Sequence, residues 1–181
     1  MKYLIVVDMQ NDFITGSLPA YKGLDTVPFV MRLIEWADQN NIHTIFTLDT
    51  HDENYLDTTE GKNLPITHCV KNTFGWQIHN NIHTITNAEL VEKNTFGTLR
   101  WTEIFRSEIP ETIILCGVCT DICVITNALI LKTMYPDTRI IVAREATAGT
   151  TRENENAALD VMRACQIEVI DRVVEIINSD L

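Results

Sequence analysis

Short apolar runs alternate with helical patterns along the chain, and this alternation is the strongest constraint on its fold. The first run, residues 2–7, is apolar from its second residue onward. Continuous apolar strands are typical of parallel sheets, in which helices cover both faces. The sequence therefore predicts an α/β fold, a three-layer α/β/α sandwich around a mostly parallel sheet. Strands are expected at residues 2–7, 44–48, 112–116, 139–143 and 166–170, with weaker signals at 82–86 and 90–92.

Apolar residues at helical spacing separate these strands. They predict helices over residues 26–40, 100–107, 120–134 and 154–165, and residues 171–178 carry a similar pattern that can dock on the core or on a neighbour. Residues 50–75 have neither pattern, and an irregular stretch of this length is more often functional than idle. With 181 residues, the chain is expected to form one domain, residues 1–181.

The chain is acidic, with a formal net charge of −11 and no basic run. Neither a nucleic-acid partner nor an anionic membrane surface is therefore expected. No apolar stretch reaches the roughly 18 residues of a membrane span, and Asp8 ends the first apolar run too early for a signal peptide. The five cysteines are odd in number, so we predict reduced thiols and a cytoplasmic location.

Three of the predicted strands lead to chemically useful residues. Asp8 follows the first strand, Asp49 follows the second, and the strand at residues 112–116 leads to Cys123. In open α/β sheets, ligands bind outside the carboxyl ends of the strands. Because all three residues are expected at that edge, the sequence predicts a single site there.

The segment IILCGVCTDICV, residues 113–124, predicts a strand, a turn and the start of a helix. Thr120 is a good N-cap residue and would place Cys123 in the first helical turn. The positive end of the helix dipole lowers the pKa of a thiol held there. Cys123 is therefore a candidate nucleophile for covalent catalysis.

The same segment also contains the spacing of a zinc knuckle, with Cys116, Cys119 and Cys123 as ligands. A knuckle needs a second ligand pair at comparable spacing, and the surrounding residues are nearly all apolar. We therefore disfavour zinc at these cysteines.

Four segments in order resemble the isochorismatase-like cysteine hydrolases, and within them the nicotinamidase branch, whose fold has Rossmann-like topology. The match covers nearly the whole chain. The segments are VVDMQNDF (residues 6–13), LDTH followed by LPITHC (48–51 and 64–69), EKNTFG (92–97) and GVCTDICV (117–124).

The resemblance implies a catalytic group made of Asp8 as general base, Lys93 as its cationic partner and Cys123 as nucleophile. A carboxylate beside a thiol can accept its proton, and an ammonium group keeps that carboxylate ionised. The family also places a cis non-proline peptide bond just before the position matching Cys119. The backbone N–H groups of Cys119 and Cys123 would then form the oxyanion hole.

The resemblance further implies a divalent metal, with zinc expected, held by Asp49, His51 and His68. One carboxylate and two imidazoles suit such an ion and leave positions open for water and substrate. Glu60 matches a fourth ligand of some members. Other members use a histidine whose matching position here is Asp57, and we prefer Glu60.

The resemblance places Phe13 against the substrate ring, together with a second aromatic residue just before the proline of the metal loop. Leu64 occupies that second position here, and Ile122 stands where many members have a polar or aromatic residue. Apolar area provides most of the binding, so a pyridine can still pack against Leu64.

The expected reaction is hydrolysis of a small-molecule amide to an acid and ammonia through a thioester, with nicotinamide converted to nicotinate as the favoured case. Another small amide, maleamate or an N-carbamoyl compound is the alternative. A catalytically silent ligand-binding domain is a third interpretation, which the presence of Asp8, Lys93 and Cys123 disfavours. Related hydrolases often form dimers or tetramers, so a homo-oligomer is compatible with the resemblance.

Overall fold

The computed structural model describes residues 1–85 and 88–179. Its strands form a six-stranded sheet in the order β3-β2-β1-β4-β5-β6, and every neighbouring pair is parallel. Strand order that begins in the middle and proceeds outward in both directions is the doubly wound arrangement. The predicted α/β fold is therefore confirmed. The strands are β1 (Lys2–Val7), β2 (His43–Asp49), β3 (Glu89–Lys93), β4 (Thr112–Val118), β5 (Arg139–Ala148) and β6 (Glu168–Ile170).

Helices connect the strands, and most lie close to the predicted positions. A 3₁₀ turn at Tyr55–Asp57 and a π-helical turn at Thr120–Val124 accompany them. The helices are α1 (Asn11–Ile14), α2 (Gly23–Gln39), α3 (Thr59–Asn63), α4 (Trp101–Ile104), α5 (Ile125–Met134), α6 (Arg152–Ala164) and α7 (Val173–Ile177).

The two faces of the sheet pack against different helices. Alternate side chains of β1 point to opposite faces, because successive residues of a strand do so. Leu4 and Val6 pack with α2 and α7. Ile5 and Val7 pack with α4, α5 and α6 on the other face. This arrangement makes three layers, as the sequence predicted.

The segment after β2 was predicted to be irregular, but the structure shows short regular elements in it. It contains the 3₁₀ turn and α3, and His51 forms a parallel bridge with Val70. The Thr58 hydroxyl caps α3 by accepting from the Gly61 N–H. These local hydrogen bonds give the segment a defined shape.

The weak strand signal at residues 82–86 is wrong for residues 82–85, and Thr86 lies outside the described residues. The Ile82 amide donates to the His79 carbonyl in a turn, and the Ile82 side chain is buried in the core. The apolar side chain of Ile82 therefore belongs to a loop residue that packs into the core, not to a strand.

The C-terminal apolar pattern docks on the core of its own chain. Val173 and Ile176 of α7 are fully buried, and the Glu145 carboxylate accepts from the Val173 N–H at the start of the helix. Within residues 1–85 and 88–179, no helix combines the length and apolar character that a membrane crossing requires.

Candidate active site

The carboxyl ends of four neighbouring strands bring the predicted residues together. Asp8 follows β1, Asp49 ends β2, and Lys93 ends β3 directly opposite Asp49 in the sheet register. Strand β4 leads through Cys119 into the turn that carries Cys123. Because all strands are parallel, these ends meet at the same edge.

Strand β4 approaches β1 closely at this edge because it has a glycine there. Gly117 has φ of 106°, a conformation that favours glycine. A Cβ at this position would lie 2.1 Å from the Val7 carbonyl oxygen. The absence of a side chain at Gly117 therefore lets the turn after β4 lie beside the end of β1.

The Lys93 ammonium group contacts both the Asp8 carboxylate and the Cys123 thiol. Its Nζ lies 2.6 Å from Asp8 Oδ2 and 3.7 Å from Cys123 Sγ. The Thr47 hydroxyl donates to Asp8 Oδ1 at 2.6 Å. All these groups are buried. The structure thus places the three predicted catalytic residues in one cluster.

Burial dominates the protonation of this cluster. It raises the pKa of Asp8, against the Lys93 ammonium, while Asp49 raises it further. It also raises the pKa of Cys123 well above its ordinary value, and the Asp8 carboxylate adds to this while Lys93 opposes it. Burial alone would lower the pKa of Lys93, but Asp8 and Cys123 outweigh it and raise that pKa. These shifts favour a neutral thiol at Cys123 and an ammonium group at Lys93, while the ion pair with Lys93 opposes protonation of Asp8.

The predicted lowering of the Cys123 pKa is therefore wrong. The thiol is buried beside a carboxylate, and both features disfavour a thiolate. The raised pKa of Asp8 makes its carboxylate a stronger base and therefore a better acceptor for the thiol proton.

The predicted N-cap is also wrong. Cys119 holds the N-cap position, and the first turn is π-helical. The Thr120 hydroxyl is buried and has no hydrogen-bond partner among the described residues. The Cys119 carbonyl accepts from the amides of Ile122 and Val124. The Val118–Cys119 peptide bond is cis, at the place that the resemblance implied.

Asp49, His51 and His68 form a second cluster beside the first. One ligand atom of each lies within 4.8 Å of the others, and all three are buried. Asp49 Oδ2 is 3.0 Å from His51 Nε2 and 3.5 Å from His68 Nε2. A carboxylate oxygen and two imidazole nitrogens in this arrangement can hold a divalent metal ion.

Neighbouring side chains orient these three residues. The Gln10 amide accepts from the Asp49 N–H and donates to the Asp49 carbonyl, both at 2.8 Å. His68 Nδ1 lies 2.7 Å from the Ile66 carbonyl oxygen, which leaves Nε2 facing the cluster. The Tyr55 ring packs 4.6 Å from the His51 ring and 4.9 Å from the His68 ring.

The two candidates for a fourth ligand lie in different places. Glu60 Oε1 is 3.8 Å from His51 Nε2 and 3.9 Å from His68 Nε2. Asp57 is exposed to solvent in the 3₁₀ turn. Glu60 is therefore the better placed of the two.

The three cysteines of the disfavoured zinc knuckle do not form a metal-binding group among the described residues. Cys116 is packed in the apolar core. In the part of the chain that the structure describes, one group of histidine, cysteine or acidic residues could hold a metal ion. It consists of Asp49, His51 and His68. Cys119 and Cys123 instead line a cavity.

A cavity of about 260 Å³ opens onto both clusters. Phe13 and Leu64, the two predicted substrate contacts, line it, and the Phe13 ring lies 5.4 Å from the His68 ring. Most of the remaining lining is apolar. Its lining residues are Phe13, Leu18, Pro19, Ala20, Asp49, Glu60, Leu64, His68, Phe96, Cys119, Ile122, Cys123 and Thr150.

Sequence reasoning missed three residues of this site. Gln10 and Phe96 lie inside segments that resemble the family, but nothing local shows that one holds Asp49 and the other lines the cavity. Tyr55 carries no sequence signal, and its contact with both histidine rings depends on the path of the loop.

The family follows from a direct comparison. A family model described as the isochorismatase domain matches residues 2–173. The chain belongs to the isochorismatase family. The resemblance based on the four sequence segments is thereby confirmed.

Relatives in this family extend the comparison. The nicotinamidase of Schizosaccharomyces pombe is 28% identical, over 97% of this chain and 96% of the relative. The nicotinamidase/pyrazinamidase of Mycobacterium tuberculosis is 27% identical, over 94% of this chain and 98% of the relative. A crystal structure of the pyrazinamidase of Pyrococcus horikoshii in complex with zinc has a TM-score of 0.83 at 28% identity, over 94% of this chain and 98% of that one. These similarities support the nicotinamidase branch.

Proposed function

We propose that this protein is an amidohydrolase that converts nicotinamide to nicotinate and ammonia through a thioester at Cys123. The observation that carries the proposal is the buried group of Asp8, Lys93 and Cys123 beside a cavity that also reaches Asp49 and His68. The nicotinamidases of Schizosaccharomyces pombe and Mycobacterium tuberculosis, to which the chain is similar along nearly its whole length, support the choice of substrate.

The first half of the reaction forms the thioester. Asp8 accepts the Cys123 proton, and the Lys93 ammonium stabilises the resulting thiolate. The thiolate attacks the amide carbon, and the backbone N–H groups of Cys119 and Cys123 stabilise the oxyanion. Asp8 then returns the proton to the amide nitrogen, the C–N bond breaks, and ammonia leaves.

The second half releases the acid. The Asp8 carboxylate accepts a proton from a water molecule, and the resulting hydroxide attacks the thioester carbon. The C–S bond breaks, and Asp8 passes its proton to the Cys123 sulfur. The product is the carboxylic acid, and the neutral thiol is restored.

We propose that Asp49, His51 and His68 hold a zinc ion, with Glu60 as a fourth ligand. Two imidazoles and carboxylates match the preferences of zinc, and the related pyrazinamidase of Pyrococcus horikoshii was solved with zinc. The bound ion would supply a Lewis acid that holds the pyridine nitrogen. Phe13 and Leu64 would pack against the ring and leave its amide facing Cys123.

Replacing Glu60 with glutamine should weaken zinc binding at least about tenfold, because a neutral amide is a poorer ligand than a carboxylate. Competition with a chromogenic chelator measures the change in Kd. Asp57→Asn is the matched control, since it removes a carboxylate from an exposed position of the same loop. Equal weakening in the two variants would contradict the assignment of Glu60.

The alternative substrate is another small amide or an N-carbamoyl compound, and one observation favours it. Leu64 occupies the wall where the resemblance leads us to expect an aromatic residue. Ammonia release from nicotinamide, maleamate and an N-carbamoyl amino acid separates these cases. We expect the highest kcat/KM with nicotinamide. Release from another compound alone would support the alternative, and no release from any would favour a ligand-binding domain.

A further inference from the structure

A second cavity, of about 370 Å³, adjoins the one beside Cys123. We call it the outer cavity. Four side chains line both cavities, so the two meet at these side chains. Three further residues line the outer cavity alone. The shared residues are Glu60, Leu64, Phe96 and Ile122, and the others are Thr59, Asn63 and Thr95.

The lining of the outer cavity suits an apolar, uncharged group. Leu64, Phe96 and Ile122 supply its apolar surface, and Phe96 is 47% exposed. Glu60 is the one charged residue in the lining, and the others are neutral. An alkyl group would gain free energy from leaving water for this apolar surface.

Hydrogen bonds hold the backbone behind each apolar side chain. The Leu64 carbonyl accepts from the Tyr55 hydroxyl at 3.0 Å. The Ile122 carbonyl accepts from a threonine hydroxyl at 2.6 Å, and the Phe96 carbonyl accepts from the Asn127 amide at 3.3 Å. These hydrogen bonds hold the backbone positions from which the three apolar side chains project.

We propose that the outer cavity binds an apolar substituent on the ring of the substrate, so that the protein hydrolyses alkyl-substituted nicotinamides more efficiently than nicotinamide. The proposal rests on the proposed function. With the carboxamide facing Cys123 and the ring nitrogen facing Asp49, ring carbon 2 lies between the two anchors. Carbons 4, 5 and 6 lie on the remaining side, from which a substituent can reach Leu64 and Phe96.

A series of propylnicotinamides tests this arrangement. We expect at least one of the 4-, 5- and 6-propyl isomers to have a kcat/KM about tenfold above that of nicotinamide, because the three carbons of the propyl group leave water. The 2-propyl isomer is the matched control and should be hydrolysed more slowly than nicotinamide. Calorimetric binding to Cys123→Ala should show the same order without turnover.

Two variants of α3 test the location of the subsite. Asn63 lines the outer cavity alone, so Asn63→Trp should fill it and abolish the tenfold preference for the propyl compound. Its nicotinamide kcat/KM should stay within about twofold, which also reports correct folding. Lys62→Trp is the control, because Lys62 is an exposed neighbour that lines neither cavity. It should leave the preference intact.

The outcomes distinguish this proposal from the proposed function. Hydrolysis of nicotinamide with no gain from any propyl isomer would overturn the subsite and leave the proposed function standing. An intact preference in Asn63→Trp would overturn its location. No hydrolysis of nicotinamide or of any propyl isomer would overturn both.

Discussion

Nicotinamide hydrolysis should fall by at least about 10⁴-fold when Cys123 is replaced with alanine, because the variant has no nucleophile to form the thioester. Cys119→Ala should keep most of the activity, since its proposed contribution is a backbone N–H that alanine also has. Both thiols line the same cavity, so the pair is a matched comparison. Ammonia release under saturating substrate measures both variants.

A second measurement ties the loss to the thioester. Rapid acid quenching and mass spectrometry should detect an acyl adduct on a peptide containing Cys123 in the unmodified protein and in Cys119→Ala. The adduct should be absent from Cys123→Ala, whose unfolding temperature should show that it is folded. Equal loss of activity in the two variants would contradict the assignment of the nucleophile.

Replacing Asp8 with asparagine should lower kcat about 10³-fold, because an amide cannot accept the thiol proton. The same change removes the carboxylate that lies 2.6 Å from buried Lys93. Breaking a buried ion pair on one side costs about 3 kcal/mol. Urea unfolding should therefore show reduced stability, and kcat should be measured at a temperature at which the variant is folded.

Thr47→Val is the control for Asp8→Asn. It removes the hydroxyl that donates to Asp8 Oδ1 at 2.6 Å but keeps both the carboxylate and Lys93. We expect about a tenfold loss of kcat, since the base is less well oriented but present. A fall in Asp8→Asn no larger than that in Thr47→Val would exclude Asp8 as the general base.

Local sequence patterns were sufficient for most of the fold. Continuous apolar runs predicted five of the strands because a strand buried on both faces has apolar residues at successive positions. The signal at residues 82–85 was wrong, because Ile82 is buried from a turn with the same apolar character. Helix α3 was missed because a five-residue helix held by the Thr58 cap has too few turns to show apolar periodicity.

The start of the helix after β4 shows where local patterns fail. Thr120 is a favourable capping residue by type, but its hydroxyl is buried without a partner and Cys119 occupies the N-cap position. Just before this turn, Gly117 allows β4 to approach β1 closely. That approach depends on sheet packing rather than on the residues near Thr120.

The sequence by itself determined which residue types are available at the carboxyl edge of the sheet, since Asp8, Asp49 and Cys123 follow recognisable strands. Only the tertiary structure decided which atoms meet there. It brought Lys93 to both Asp8 and Cys123 and buried all three, so the thiol has a raised pKa where the isolated helix start predicts a lowered one. Strand order and burial depend on contacts between residues that are far apart in the chain. A local sequence pattern therefore cannot predict them.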